Sequence, residues 1–311
     1  MTIPMPTPVR AAVACALLGP ALVVLPTIAA AQSAPRPVPD PGAAPVSRPP
    51  PAPPSEEEIR RVEQRGREIA FSLDAVGRAR VEFDRYGEPT AAPDHLLLLR
   101  GRDVWRVVFV KEAAVDKGRP RTWVVAEISF VNDPTNAGPL RIMSPPRPAA
   151  DTTVTHLRAM EIARSTAVGR GLRPPLDAAI FRERNGTFSA YLKSRPQEAE
   201  GVLFGADLLI RVAATGRRLI SGAPLHAGVP VTLDPGDRPP GGPTVHSHLE
   251  ADLPTATDVA TVMRHARVAP HLVLTPHFIF RIDAAGRVSY LGPNPDPPAP
   301  PAVPRAAGGK P

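Results

Sequence analysis

The chain carries almost no thiol chemistry, with one cysteine, Cys15, in 311 residues. Cys15 falls inside a leader-like segment, so the exported part can form no disulfide, thiolate metal site or cysteine nucleophile. Lysine is nearly as scarce, at four residues against 33 arginines, and aromatics supply only 5% of the chain. With no basic helix, no interleaved aromatic platform and no zinc-finger spacing, a nucleic-acid partner is disfavoured. Also missing are a Gly-x-Ser-x-Gly elbow and a phosphate-binding glycine loop with lysine. Gly169-Arg170-Gly171 runs on to Pro174-Pro175 instead of opening a helix.

Proline is abundant, and it sits mostly at the two ends. Residues 1–31 read as an export signal: Arg10 as the basic region, an apolar stretch from Ala11 to Ile28, and Ala29-Ala30-Ala31 as the cleavage site. Residues 32–54 form a proline-rich spacer with ten prolines, and residues 293–311 form a tail with eight. Both are expected to be extended and disordered. Between them, Ser55 to Gly292 holds 32 basic and 28 acidic side chains, a net of +4, so the formal +7 marks no concentrated basic patch. The arginine, alanine, proline and glycine bias suggests a GC-rich bacterial source. With the signal it points to a periplasmic or secreted protein, with an envelope or extracellular partner and no membrane span once the signal is removed.

The folded region reads as α+β, with two helix-plus-antiparallel-strand units that could share one mixed domain. In the first unit, residues 55–131, Ser55-Glu56-Glu57-Glu58 makes a capping box for a helix reaching about Val76, with Gly66 and Gly77 weakening it. Strands follow at His95 to Arg100, Val104 to Lys111 and Trp123 to Phe130, a meander packed on the helix. Trp105 and Trp123 read as core or cross-strand aromatics. Residues 132–150 read as a proline-rich loop. The second unit, 151–292, begins with a helix from Asp151 to Val168, which Thr152, Thr153 or Thr155 could cap. Strands flank Asn185-Gly186, a hairpin signal, and run again through Val202 to Val212 and Arg217 to Ser221. Later come a strand at Thr244 to His246, a helix from Thr255 to about Ala266, and three C-terminal strands.

One run suggests chemistry. Residues two apart on a strand share a face, so His246 and His248 present their imidazoles together. If Thr255 caps the next helix, Asp258 occupies its third position and can point back to the strand end. Two imidazoles, a carboxylate and an open fourth position make the ligand set of a catalytic zinc site. His265 lies two turns from Asp258 and is not expected to join it. His271 and His277 are simply nearby imidazoles.

This run resembles the JAMM (MPN/Mov34) metallohydrolases, whose motif is His-x-His, a loop, then Ser-x-x-Asp, with an upstream Glu before a Gly-hydrophobic-Leu-x-Gly strand. The resemblance implies His246, His248 and Asp258 as zinc ligands and Thr255 in place of the serine. It also implies Glu198, in Glu198-Ala199-Glu200-Gly201-Val202-Leu203-Phe204-Gly205, as general base. The likeness covers about residues 198–283. It departs from the family at Leu249 after the second histidine, in a shorter loop, and in threonine for serine. The stretch from Tyr191-Leu192 through Gly205-Ala206-Asp207 to His248-Leu249 and Pro254-Thr255 is also similar to exported bacterial proteins of unknown function.

Two functions are therefore expected. The leading one is a non-enzymatic binding or structural module of the envelope, with the histidines as polar side chains at a sheet edge and Asp258 as a helix cap. The other is a zinc-dependent hydrolase of amide or isopeptide bonds. Metal content separates them.

Overall fold

The computed structural model describes residues 51–86, 92–101, 104–116, 119–131, 133–195, 201–234, 236 and 242–296. The export signal, nearly all of the proline-rich spacer, most of the tail, and Glu198 lie outside these residues. Among these residues the architecture is α+β: three α-helices and a set of mainly antiparallel sheets. Among the described residues, no helix is long and apolar enough to cross a membrane.

Helix α1, Glu56–Tyr86, begins with the expected capping box: Ser55 N and Oγ donate to Glu58 Oε2 at 2.9 and 2.8 Å. It runs ten residues beyond Val76. Ala75, Ala79 and Phe83 are buried against Val107, Phe109 and Ile128, and that tertiary burial outweighs the intrinsic cost of Gly77. Gly66 has a different use. A Cβ there would collide with Val259 and stand 3.0 Å from the Ala256 carbonyl oxygen, so glycine lets α1 lie directly on the last helix.

The first sheet is antiparallel, in the order β1-β2-β3-β4: His95–Arg100, Trp105–Asp116, Arg119–Phe130 and Arg141–Pro148. Strand β4 falls in the stretch read as a loop. Its prolines cannot donate ladder hydrogen bonds, and the edge of a sheet is where that is tolerated. Helix α2, Asp151–Gly169, follows; its N-cap is Ala150, and no side chain caps it. Thr155 instead donates to the Asp151 carbonyl. Leu157, Met160 and Ala163 of α2 share one buried cluster with Leu97, Val108 and Val124 of the first sheet. The same cluster takes in Ile180, Leu192 and Ile210 of a second antiparallel sheet, β5-β6-β8-β9: Leu176–Arg182, Phe188–Ser194, Asp207–Val212 and Leu219–Pro224.

The stretch Val202 to Val212 is not one strand. Gly205 and Ala206 adopt positive φ (76° and 49°), and the chain changes sheets there. Val202–Phe204 (β7) pairs with Val231–Leu233 (β10), while β8 joins the second sheet. The final sheet has the order β11-β12-β13-β14: Thr244–Ser247, His271–Leu274, Phe278–Ile282 and Val288–Pro293. Helix α3, Ala256–Arg264, crosses over between β11 and β12, which are therefore parallel. Val259 and Val262 of α3 pack on Val273, Phe280 and Ile282 of this sheet and on Phe204.

Candidate metal centre

Strand β11 alternates buried and exposed residues, so Thr244, His246 and His248 face inwards while Val245 and Ser247 face out. Helix α3 starts opposite. Thr255 is its N-cap and Asp258 its third residue: Asp258 N donates to Thr255 Oγ1, and Thr255 N and Oγ1 donate to Asp258 Oδ2 at 2.7 and 2.9 Å. The reciprocal cap fixes the carboxylate against the strand end. Its Oδ1 is turned to His246 Nε2, 3.4 Å away, and its Oδ2 lies 3.1 Å from His248 Nε2. The two Nε2 atoms are 3.0 Å apart. The structure thus brings together His246, His248 and Asp258.

A fourth group completes the cluster. His226, on the segment after β9, places Nε2 at 2.9 Å from Asp258 Oδ1. His226, His246, His248 and Asp258 each offer a ligand atom, and these atoms all lie within 4.8 Å of one another. His226 stands alone in sequence, twenty residues before His246 and with no partner at a ligand spacing, so nothing local marked it. Glu198 lies outside the described residues. Phe204, on β7, stacks on His246 at 4.8 Å and on His271 at 4.3 Å. His265 caps the C-terminus of α3, and His277 pairs with Asp252 at 2.6 Å; neither belongs to the cluster.

The surrounding hydrogen bonds dictate where the protons are. The Leu253 carbonyl can only accept, so His248 donates to it from Nδ1, at 3.0 Å. Thr244 Oγ1 donates to the Val268 carbonyl at 2.6 Å and so accepts from His271 Nδ1 at 2.6 Å. Burial, helped by the nearby His246, pushes His271 down to about 3, so its ring is neutral and its Nε2 accepts from His246 Nδ1 at 2.6 Å. His226 donates from Nδ1 to Asp207 Oδ1 at 2.6 Å, and Asp207 Oδ2 accepts from Thr257. Every Nδ1 is thus occupied outwards. In the neutral imidazoles, three Nε2 lone pairs and a carboxylate oxygen face one another with no hydrogen between them.

Such a grouping repels itself unless a cation sits inside it. In the metal-free protein that cation is a proton. Burial opposes charge on His226, but Asp258 and the bond to Asp207 outweigh it and raise His226 to about 10. Burial likewise works against the Asp258 charge, yet the three imidazoles hold its carboxyl well below the usual range. His246 is lowered, chiefly by burial, against the pull of Asp258. Borderline nitrogen ligands with one carboxylate, each ring oriented by a second partner, form a donor set suited to zinc.

Access is limited. The side chains of His246, His248 and Asp258 are 1–2% exposed, that of His226 9%. A pocket of about 200 Å³ opens onto His226 and His248, walled by Leu225, Leu249 and Glu250. Compared with known protein families, curated proteins and solved structures, the chain matches none.

Proposed function

We propose that this is an exported envelope protein built around a zinc centre held by His226, His246, His248 and Asp258, and that it serves as a binding or structural module. The observation that carries this reading is the outward engagement of all three Nδ1 atoms, which leaves three Nε2 lone pairs and a carboxylate converging on one point. Four protein ligands fill a tetrahedral zinc shell, the pattern of a structural site. The ion would tie β11, α3 and the segment after β9 together, three pieces that are distant in sequence.

A second reading is favoured by one specific feature. His226 is the most exposed of the four, on the segment after β9, and the small pocket opens beside it. If His226 withdraws, His246, His248 and Asp258 leave the open position that the JAMM resemblance implies. Bound zinc would then supply Lewis-acid polarisation of a carbonyl. The residues would have to orient an amide or isopeptide carbonyl in that pocket, with Glu198 as general base. Thr255 is committed to capping α3 and to the Asp258 carboxylate, so it supports a ligand rather than substrate.

Cobalt substitution tests both. Untagged protein loaded with Co(II) should give the intense visible bands of tetrahedral coordination, unchanged by azide. His226→Ala should keep the metal and become azide-sensitive. Turnover of an isopeptide-linked peptide by the native zinc protein would establish the hydrolase reading. Failure to take up cobalt in the untagged chain would reject both.

A further inference from the structure

A cavity of about 950 Å³ lies between α1, the ends of β1 and β5, the start of β2 and the first turns of α2. That volume is at the upper end for small-molecule sites. Six arginines and two glutamates line it. Glu68 and Glu183 are spent on Arg65, and Glu68 also on Arg100 at 3.1 Å, while Arg61 pairs with Glu57. Arg106, Arg182 and Arg184 have no carboxylate partner among the described residues, so the cavity keeps an excess of positive charge.

Two further features point to an anion. The α2 N-terminus meets this cavity at Thr152, and no side chain caps it, so its first N–H groups are available to a ligand. One turn further on the same face, buried His156 also lines the cavity. Its Nε2 is the one buried side-chain nitrogen or oxygen among the described residues without a hydrogen-bond partner. Leaving such a group unpaired is destabilising, and a bound acceptor would satisfy it. Burial, with Arg182 adding to it, lowers His156 to about 4, so at neutral pH the ring is an uncharged donor or acceptor. Trp105, Phe181, Phe188 and Leu99 supply apolar wall beside the arginines.

We propose that this cavity binds a small phosphate ester with an apolar body, the dianion held by Arg106, Arg182, Arg184 and the first turn of α2, and the body lying against the half-buried Trp105 and Leu99. Forked guanidinium donors and a helix N-terminus together offer more hydrogen bonds than a single carboxylate can accept, which favours a phosphate-type dianion. The proposal does not depend on the metal centre.

Phenylphosphonate, which no phosphatase can hydrolyse, is the probe. Titrated calorimetrically into the full chain, it should bind saturably with Kd below about 1 mM, and the His156 ring resonances should shift as it does. Both Arg106 and Arg184 are exposed, so Arg106→Glu/Arg184→Glu should keep the melting temperature and weaken binding at least tenfold. Glu161→Ala, outside the cavity lining, should leave the affinity unchanged. Absence of binding, binding unaffected by the double arginine variant, or binding lost with Glu161→Ala would overturn the proposal. Equal affinity for inorganic phosphate would overturn its apolar half.

Discussion

Among the described residues, two groups of histidine and acidic side chains come within chelating distance, and their differences matter more than their likeness. His226, His246, His248 and Asp258 are nearly buried, and each imidazole is pinned by a second partner. His95, Glu112 and Glu161 satisfy the same proximity, but both glutamates are exposed and His95 Nε2 stands 4.0 Å from Glu161. Water can solvate the second group at no cost, so it needs no ion. The first is almost wholly withdrawn from water, and its lone pairs are aimed at one another by bonds that the backbone carbonyls of Leu253 and Val268 anchor. Convergence with the protons already placed elsewhere, rather than closeness, is what distinguishes a centre from an acidic surface.

The comparison can be broken most forcefully at Asp258. Asp258→Ala removes the one anionic ligand and the carboxylate half of the α3 capping box, and leaves the buried His226 proton without its principal counter-charge. We expect metal content to fall from about one ion per chain to almost none, and denaturant unfolding to register a loss of about 3–5 kcal/mol. Stripping the metal with a chelator should cost about 4 kcal/mol if the free ion was at a thousand times its Kd, read as a drop in melting temperature that zinc reverses. Thr244→Val cuts the relay that fixes the His271 and His246 tautomers without touching a ligand. Competition with a chromophoric chelator should give a 10–100-fold weaker affinity.

Proton accounting supplies a subtler test. His226 is raised from 6.5 to about 10 in the metal-free fold. Its contribution to the stability of that fold is therefore complete below about 6.5 and disappears as pH climbs through about 10. Asp258, held low, contributes above the ordinary carboxylate range and loses its contribution as acid protonates it. Zinc must displace the His226 proton, so calorimetry at pH 7.5 in buffers of different ionisation enthalpy should find about one proton released per ion, and affinity that rises with pH. The smallest effect belongs to the contrasting group: Glu161→Ala should change neither metal content nor melting temperature.

Much of this was legible in the residues, for specific reasons. The period-two placement of His246 and His248 and the Thr255 to Asp258 cap spacing are local geometry, and local geometry is what a sequence displays. The α+β mix and the start of α1 at Ser55 follow from the same local signals. What escaped was non-local. His226 and Asp207 join the cluster only because Gly205 and Ala206 redirect the chain between β7 and β8. Strand β4 hid behind prolines that an edge position accommodates. Helix α1 outran its expected end because Ala75, Ala79 and Phe83 found a sheet to pack on.

The three Nε2 atoms and the Asp258 carboxylate converge on one point in space. Crystals of untagged protein grown with zinc and measured at the zinc absorption edge should give a single anomalous peak about 2.0–2.2 Å from His226 Nε2, His246 Nε2, His248 Nε2 and an Asp258 oxygen. No peak at that point, or a peak held instead by His95, Glu112 and Glu161, would contradict it.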